Sequence, residues 1–211
     1  MQLDVISDPI CPWCYIGQRN LEIALAQRPV ANLEIRWRPF MLDPSIPPDG
    51  IERKTYYESR FGSDDKIAQG ARQAAELGAK IGIRFAFDKI KRMPNTLDAH
   101  RLVRWASVSG HAPKVLARLY SAHFEDGVDI GDHETLARIA ATEGLDADAI
   151  TERLQTDEDV AVVLDEDRAV RALGINGVPC VLIDQKYALM GAQDPANLIG
   201  VFDRIEAHEA P

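Results

Sequence analysis

The sequence predicts an α/β fold in which a small sheet is split by a large all-helical insertion. Three observations predict it. A short apolar run, Leu3 to Ser7, passes through Asp8-Pro9-Ile10 into Cys11-Pro12-Trp13-Cys14 and an amphipathic stretch, the pattern of strand, turn and helix start. Strand patterning then fades from about Ile51 to Gly174. It returns after Gly177 as two short apolar runs followed by a last amphipathic segment.

Each element has its own signal. Leu3, Val5 and Ile6 read as a buried strand ended by Ser7-Asp8-Pro9, and Trp13 to Arg28 places Ile16, Leu21, Ala24 and Leu25 at helical spacing before Pro29 closes the helix. Leu33, Ile35 and Trp37 alternate with Glu34, Arg36 and Arg38, a strand that stops at Pro39. A right-handed crossover makes these two strands parallel. Ligand chemistry in such sheets collects at the carboxyl ends of strands, where Cys11 falls. Pro39 to Gly50 holds four prolines and is a loop.

The insertion is expected to contain helices over 51–61, 65–81, 96–109, 113–126, 133–143, 147–156 and 158–173, with only Ile83 to Phe87 extended. Asn95 or Thr96, Asp132 and Asp146 are placed as N-caps, and Gly110, Gly144 and Gly174 as stops. Trp105, Leu119, Tyr120 and Phe124 sit at helical spacing and read as core. Cys180 to Ile183 and Tyr187 to Met190 pair across a turn at Asp184-Gln185-Lys186, and a final helix runs from about Pro195 to Ala207. The expected division is therefore one discontinuous domain of residues 1–50 and 174–211, interrupted by a helical domain of residues 51–173.

Cysteines three positions apart at a helix start can close a small disulfide loop without unwinding the backbone. The free N–H groups and positive dipole end of a first turn stabilise a thiolate, the form that attacks disulfides. Cys11, at the helix mouth, is the expected nucleophile and Cys14, one turn deeper, the resolving thiol. Pro12 and Trp13 shape the loop, and proline is tolerated in a first turn because its missing N–H has no helical partner there. Half of a zinc site is the competing reading. It lacks a second pair of ligands, since the only other cysteine is Cys180 and the five histidines show no H-x3-5-H spacing, so no metal is expected. A purely structural bond is disfavoured because so small a loop hardly restricts the unfolded chain. Asp8 reads as a turn former before Pro9, with influence on thiol protonation as the alternative.

The chain of 211 residues is 46% hydrophobic and 27% charged, an ordinary globular composition without an apolar run long enough to span a membrane. Residues 1–10 carry neither a basic n-region nor an apolar h-region, and three cysteines do not make a disulfide framework, so a reducing, cytoplasmic setting is expected. A net charge of −9 disfavours nucleic acid and anionic lipid as partners. The charge is uneven. Glu143 to Asp167 holds ten acids against Arg153, and Arg84 to Arg104 holds six bases against Asp88 and Asp98. Solvated helix faces account for the acidic run, whereas the basic run is a candidate surface for a small anion.

The whole plan resembles a thioredoxin fold carrying a DsbA-type insertion. Specifically, the chain resembles the FrnE-like subgroup of DsbA-family oxidoreductases through Asp8-Pro9-Ile10-Cys11-Pro12-Trp13-Cys14-Tyr15-Ile16-Gly17, Pro94-Asn95-Thr96-Leu97-Asp98-Ala99-His100-Arg101, Gly174-Ile175-Asn176-Gly177-Val178-Pro179 and Gly191-Ala192-Gln193. The resemblance implies a bacterial, cytoplasmic thiol–disulfide oxidoreductase or disulfide isomerase. It further implies that the Val178–Pro179 bond is cis, faces the cysteines and docks the backbone of a disulfide- or thiol-containing protein or small molecule. No tightly bound cofactor is implied; glutathione is a candidate co-substrate, and the chain is a monomer or a homodimer.

The subgroup is similar to 2-hydroxychromene-2-carboxylate isomerases and kappa-class glutathione transferases, in which a serine commonly stands where Cys11 stands and glutathione supplies the thiol. Asn95 matches a position that helps to bind glutathione in those relatives, and a plain helix cap is its alternative role. A glutathione-dependent isomerase or transferase is therefore the second functional reading, and a zinc-stabilised or partner-binding module the third. Cys180, where an apolar residue often follows the proline, is expected to be a buried strand residue, with a third redox thiol as the alternative.

Overall fold

The computed structural model describes residues 1–61 and 64–209; positions 62–63 of the expected insertion and 210–211 at the chain end lie outside the described residues. Its main sheet grows around β1 (Gln2–Ser7), whose Leu3, Val5 and Ile6 are all buried, as a strand covered on both faces requires. β2 (Glu34–Pro39) pairs parallel to it, with Leu3 opposite Ile35 and Val5 opposite Trp37. β5 (Cys180–Ile183) pairs antiparallel on the other side, and β6 (Tyr187–Met190) completes the order β2-β1-β5-β6. The β5–β6 turn holds Asp184 at φ 49° and Gln185 at φ 56°, the mirror-image turn that matches the twist of a hairpin.

One face of the sheet is closed by α1 (Pro12–Gln27) and α9 (Pro195–Glu209): Leu3, Val5 and Ile183 pack with Leu21, Ala24, Leu198 and Phe202. On the opposite face Ile6 and Cys180 pack with Phe40, Ile175 and Val170 of α8 (Val160–Ala172).

The expected insertion helices all form: α2 (Arg53–Phe61), α3 (Asp64–Lys80), α4 (Leu97–Val108), α5 (Ala112–Phe124), α6 (His133–Thr142), α7 (Ala147–Leu154) and α8. Asp132 accepts from the Thr135 N–H and Asp146 from those of Asp148 and Ala149, as caps should. Gly110, Gly144 and Gly174 adopt φ of +75°, +88° and +82°, the left-handed stop that other residues reach only with strain.

Two details differ from expectation. The first two residues of the expected 51–61 helix form a strand instead, β3 (Ile51–Glu52), paired with β4 (Arg92–Met93). The 83–87 segment joins no sheet, because Phe85 and Phe87 turn to one side, stack at 4.9 Å and pack on Phe124, while the Ala86 N–H bonds the Phe124 carbonyl.

Most of the basic run meets carboxylates or carbonyls of the protein. Arg101 is only 2% exposed and donates to the carbonyls of Arg153, in the last turn of α7, and of Thr156 and Glu158 just beyond it, and to Asp98. Arg104 meets Asp159 and Glu166. In the same run Arg92 meets Asp129, Lys89 the Glu125 carbonyl and Lys91 the Asp88 carbonyl. Much of the basic run thus faces protein acceptors rather than an open anion site.

Candidate active site

The site begins where β1 ends. Cys11 is the extended N-cap of α1 (φ −95°, ψ 114°), and Pro12 opens the helix where no N–H is needed. The Cys11 N–H bonds the Asp8 carbonyl at 3.0 Å and the Cys14 N–H bonds the Cys11 carbonyl at 3.0 Å, which fixes the loop against its strand. Both cysteines are free thiols, 3% and 1% exposed. They pack with Ile10 in one apolar cluster with Leu102, Leu119 and Tyr120 of the insertion, and half-buried Trp13 lies against its edge. The insertion therefore forms part of the wall around the motif.

The Val178–Pro179 bond is cis, and the Val178 carbonyl oxygen lies 3.7 Å from the Cys11 Sγ, close enough to accept from its thiol. Pro179 packs onto α1 at Gly17, where a Cβ would come within 3.2 Å of the proline ring. That close approach explains why glycine follows Ile16. Cys11, Cys14, Pro12, Trp13, Val178 and Pro179 thus belong to one neighbourhood. Asn95 is engaged elsewhere: its amide nitrogen donates to the Ile46 carbonyl at 2.6 Å and its oxygen accepts from the Leu97 N–H at 2.9 Å, fastening the start of α4.

Beneath the motif lies a buried titratable cluster. Asp8 is fully buried, and burial pushes its carboxyl up to about 7 although it accepts from the Leu42 N–H (2.6 Å) and Ile10 N–H (3.3 Å). His100 Nε2 stands 3.8 Å from Asp8 Oδ1, and burial lowers that imidazole to about 4, so the two do not form an ion pair near neutrality. Burial raises the Cys14 thiol well above its ordinary value, reinforced by the Cys11 sulfur beside it. Tyr120 is raised too, by burial first and then by Cys14. Chemically this is a dithiol whose inner sulfur stays protonated, backed by a carboxyl that titrates near neutral pH.

Sequence patterning offers Asp8 mainly as a turn former and Tyr120 as packing, and gives His100 no separate role. Nothing in their spacing signals that residues 8, 14, 100 and 120 share one buried cluster. Cys180 is fully buried on the other face of the sheet among Ile6, Phe40, Val170 and Ile175, and burial pushes it up to about 11. It is a core residue. Among the described residues no group of three or more His, Cys, Asp and Glu side chains is placed to hold a metal ion, and no helix is long and apolar enough to cross a membrane.

A family model for the DSBA-like thioredoxin domain matches residues 2–202. Among curated proteins, the uncharacterized protein YwbO of Bacillus subtilis (strain 168) is 25% identical over 156 residues, which cover 74% of this chain and 72% of that protein. Among solved structures, a probable DsbA oxidoreductase from Streptomyces coelicolor is similar with a TM-score of 0.90 and 28% identity, covering 100% of this chain and 92% of the other. The cytosolic disulfide reductase DsbM from Pseudomonas aeruginosa, solved with GSH, shares the fold with a TM-score of 0.66 at 18% identity, over 99% of this chain and 96% of that one. With a match spanning nearly its whole length, the chain belongs to the family of DSBA-like thioredoxin domains.

Proposed function

We propose that the protein is a thiol–disulfide oxidoreductase that works through Cys11 and Cys14. The observation that carries this reading is the placement of two free thiols at the mouth of α1 with the Val178 carbonyl 3.7 Å from the outer sulfur. Cys11 attacks a substrate disulfide from the helix N-terminus, releasing one substrate thiol and leaving a mixed disulfide. Cys14 then attacks the Cys11 sulfur, forms the internal disulfide and frees the second substrate thiol. The Val178 and Pro179 backbone holds the substrate segment beside Cys11, with Pro12 and Trp13 forming the lip.

Disulfide-containing proteins or small molecules are the substrate class, and glutathione is the proposed co-substrate and recycling thiol. The fold shared with a cytosolic reductase solved with GSH supports glutathione and a cytoplasmic setting. The acidic charge of −9 also supports substrates other than nucleic acids or anionic lipid.

The test is a redox titration of the protein in glutathione buffers, followed by Trp13 fluorescence and thiol trapping, beside insulin reduction with Cys11→Ser as control. A reversible two-electron transition and loss of turnover in the variant are expected. Turnover that needs glutathione yet survives Cys14→Ser would instead assign the site to a glutathione-dependent isomerase or transferase.

A further inference from the structure

The sheet has a free edge at β2, and a groove runs along it. Glu34, at the start of the strand, places its N–H on the Met1 carbonyl at 3.1 Å, and Phe40, just past its end, places its N–H on the Ser7 carbonyl at 3.1 Å. Backbone groups alternate sides along a strand, and the pairing with β1 runs unbroken from Glu34 to Pro39. The N–H and C=O groups of Glu34, Arg36 and Arg38 therefore face β1. Those of Ile35 and Trp37 face outward, where, among the described residues, no strand pairs with them. Pro39 brings no N–H and ends the row.

Every residue from Glu34 to Pro39 lines a groove of ≈ 480 Å³, and Val103 and Val108 of α4 stand across it. Successive strand side chains point to opposite faces, so a groove lined by all of them follows the edge and not one face. A strand of this length runs about 20 Å, room for one extended segment. Val108 is 92% exposed, an apolar side chain without cover. The lining sets Arg36, Arg38, Arg104 and Arg153 against Glu34, Asp159 and Glu166, a local excess of positive charge in a chain of net charge −9. Arg104 and Arg153 are held by carboxylates of the insertion, and Arg36 by Glu34. Arg38 lies 3.8 Å from the Asp4 carboxylate, beyond hydrogen-bond reach, and its Nε has no hydrogen-bond partner.

We propose that this edge docks an extended segment of a partner protein, one that joins the sheet antiparallel to β2 and alternates acidic with apolar side chains. The backbone groups of Ile35 and Trp37 bond the segment, and antiparallel pairing is the more stable per residue. Segment residues opposite Arg36 and Arg38 share their face and are acidic; those opposite Ile35 and Trp37 share the other face and are apolar. Charged side chains on an edge deter chance pairing. Here they also select, admitting an acidic segment and repelling a basic one. Neither cysteine of the motif lines the groove, so the proposal stands independently of the dithiol reading.

The probe is a blocked peptide, acetyl-Gly-Glu-Val-Glu-Val-Gly-amide, carrying a fluorophore. Binding is read by anisotropy at about 0.1 M salt, where charges more than about 10 Å away are largely screened. In the antiparallel register the valine N–H groups point at β2 and the glutamate N–H groups away from it. Methylating both valine nitrogens should weaken binding at least about tenfold, and methylating both glutamate nitrogens should change it far less. Arg36→Glu, a change to an exposed side chain, should weaken binding about fivefold or more. A peptide with Lys in place of its second Glu should then reverse the preference and bind the variant better than the wild type.

No binding up to about 1 mM peptide, or equal binding by the valine-methylated peptide, would overturn the proposal. So would a dimer in sedimentation equilibrium that Arg36→Glu dissociates, since it would give this edge to a second copy of the chain.

Discussion

Replacing Asp8 by Asn should make the protein more stable at neutral and alkaline pH. The carboxyl rises from 3.8 to about 7 on folding, mainly through burial. A shift of about 3 units corresponds to about 4 kcal/mol. Because the folded state holds this proton more tightly than the unfolded chain, the stabilising contribution is fully present below about pH 4. It declines by about 1.4 kcal/mol per pH unit and is gone once the pH has risen through about 7.

Asn carries no such dependence. It can keep its oxygen on the Leu42 N–H, the 2.6 Å bond, but it surrenders the 3.3 Å bond from Ile10, worth about 1 kcal/mol. The variant should therefore be about 1 kcal/mol weaker in acid, cross the wild type near about pH 5 and be about 3 kcal/mol stronger in alkali. Urea unfolding of both proteins across this range, with thiols reduced, measures the difference. Groups common to both cancel in that difference, and His100, held down to about 4, does not compensate the charge. Parallel curves would refute the assignment of a buried, neutral-titrating carboxyl behind the motif.

Three further perturbations probe the scaffold. Tyr15→Phe removes the 2.6 Å bond from the Tyr15 hydroxyl to Glu125, which ties α1 to the segment after α5; denaturant unfolding should show a loss of about 1–2 kcal/mol. Arg101→Met removes the guanidinium donor from the carbonyls of Thr156 and Glu158 and one of several donors from that of Arg153, and a loss of about 3–5 kcal/mol is expected, with faster hydrogen exchange concentrated in α7. Cys180→Ala should leave the Cys11–Cys14 redox potential unchanged and cost about 1 kcal/mol; in the wild type this thiol should react with aromatic disulfide reagents only after denaturation, because it is fully buried and raised to about 11.

The fold was legible where local chemistry decides it. Helix limits followed caps and stops: Asp132 and Asp146 bond the N–H groups that their positions predict, and Gly144 and Gly174 take the left-handed conformation that ends a helix. The β5–β6 hairpin matched its expected residues because a short turn sets its own register. The β3–β4 pair escaped notice for the opposite reason. Two-residue strands carry no alternation, and Ile51 meets Met93 only because the chain between them folds back.

The site was legible in its sulfur and illegible in its support. Cys11 and Cys14 declare themselves by spacing, and Pro179 by the resemblance around it. The acidic and basic runs, each taken alone, suggest solvated faces or an anion site; Arg104, beside Asp159 and Glu166, joins the two runs, while Arg92 pairs with Asp129 and Lys89 and Lys91 with carbonyls, partners that spacing does not signal. Tyr120 marks the limit most clearly. At helical spacing it is indistinguishable from Leu119 as a core residue, and it is indeed buried. What separates it is one oxygen without a protein partner beside Cys14, a fact that depends on how α5 is rotated over α1 and is set by long-range packing rather than by any local pattern.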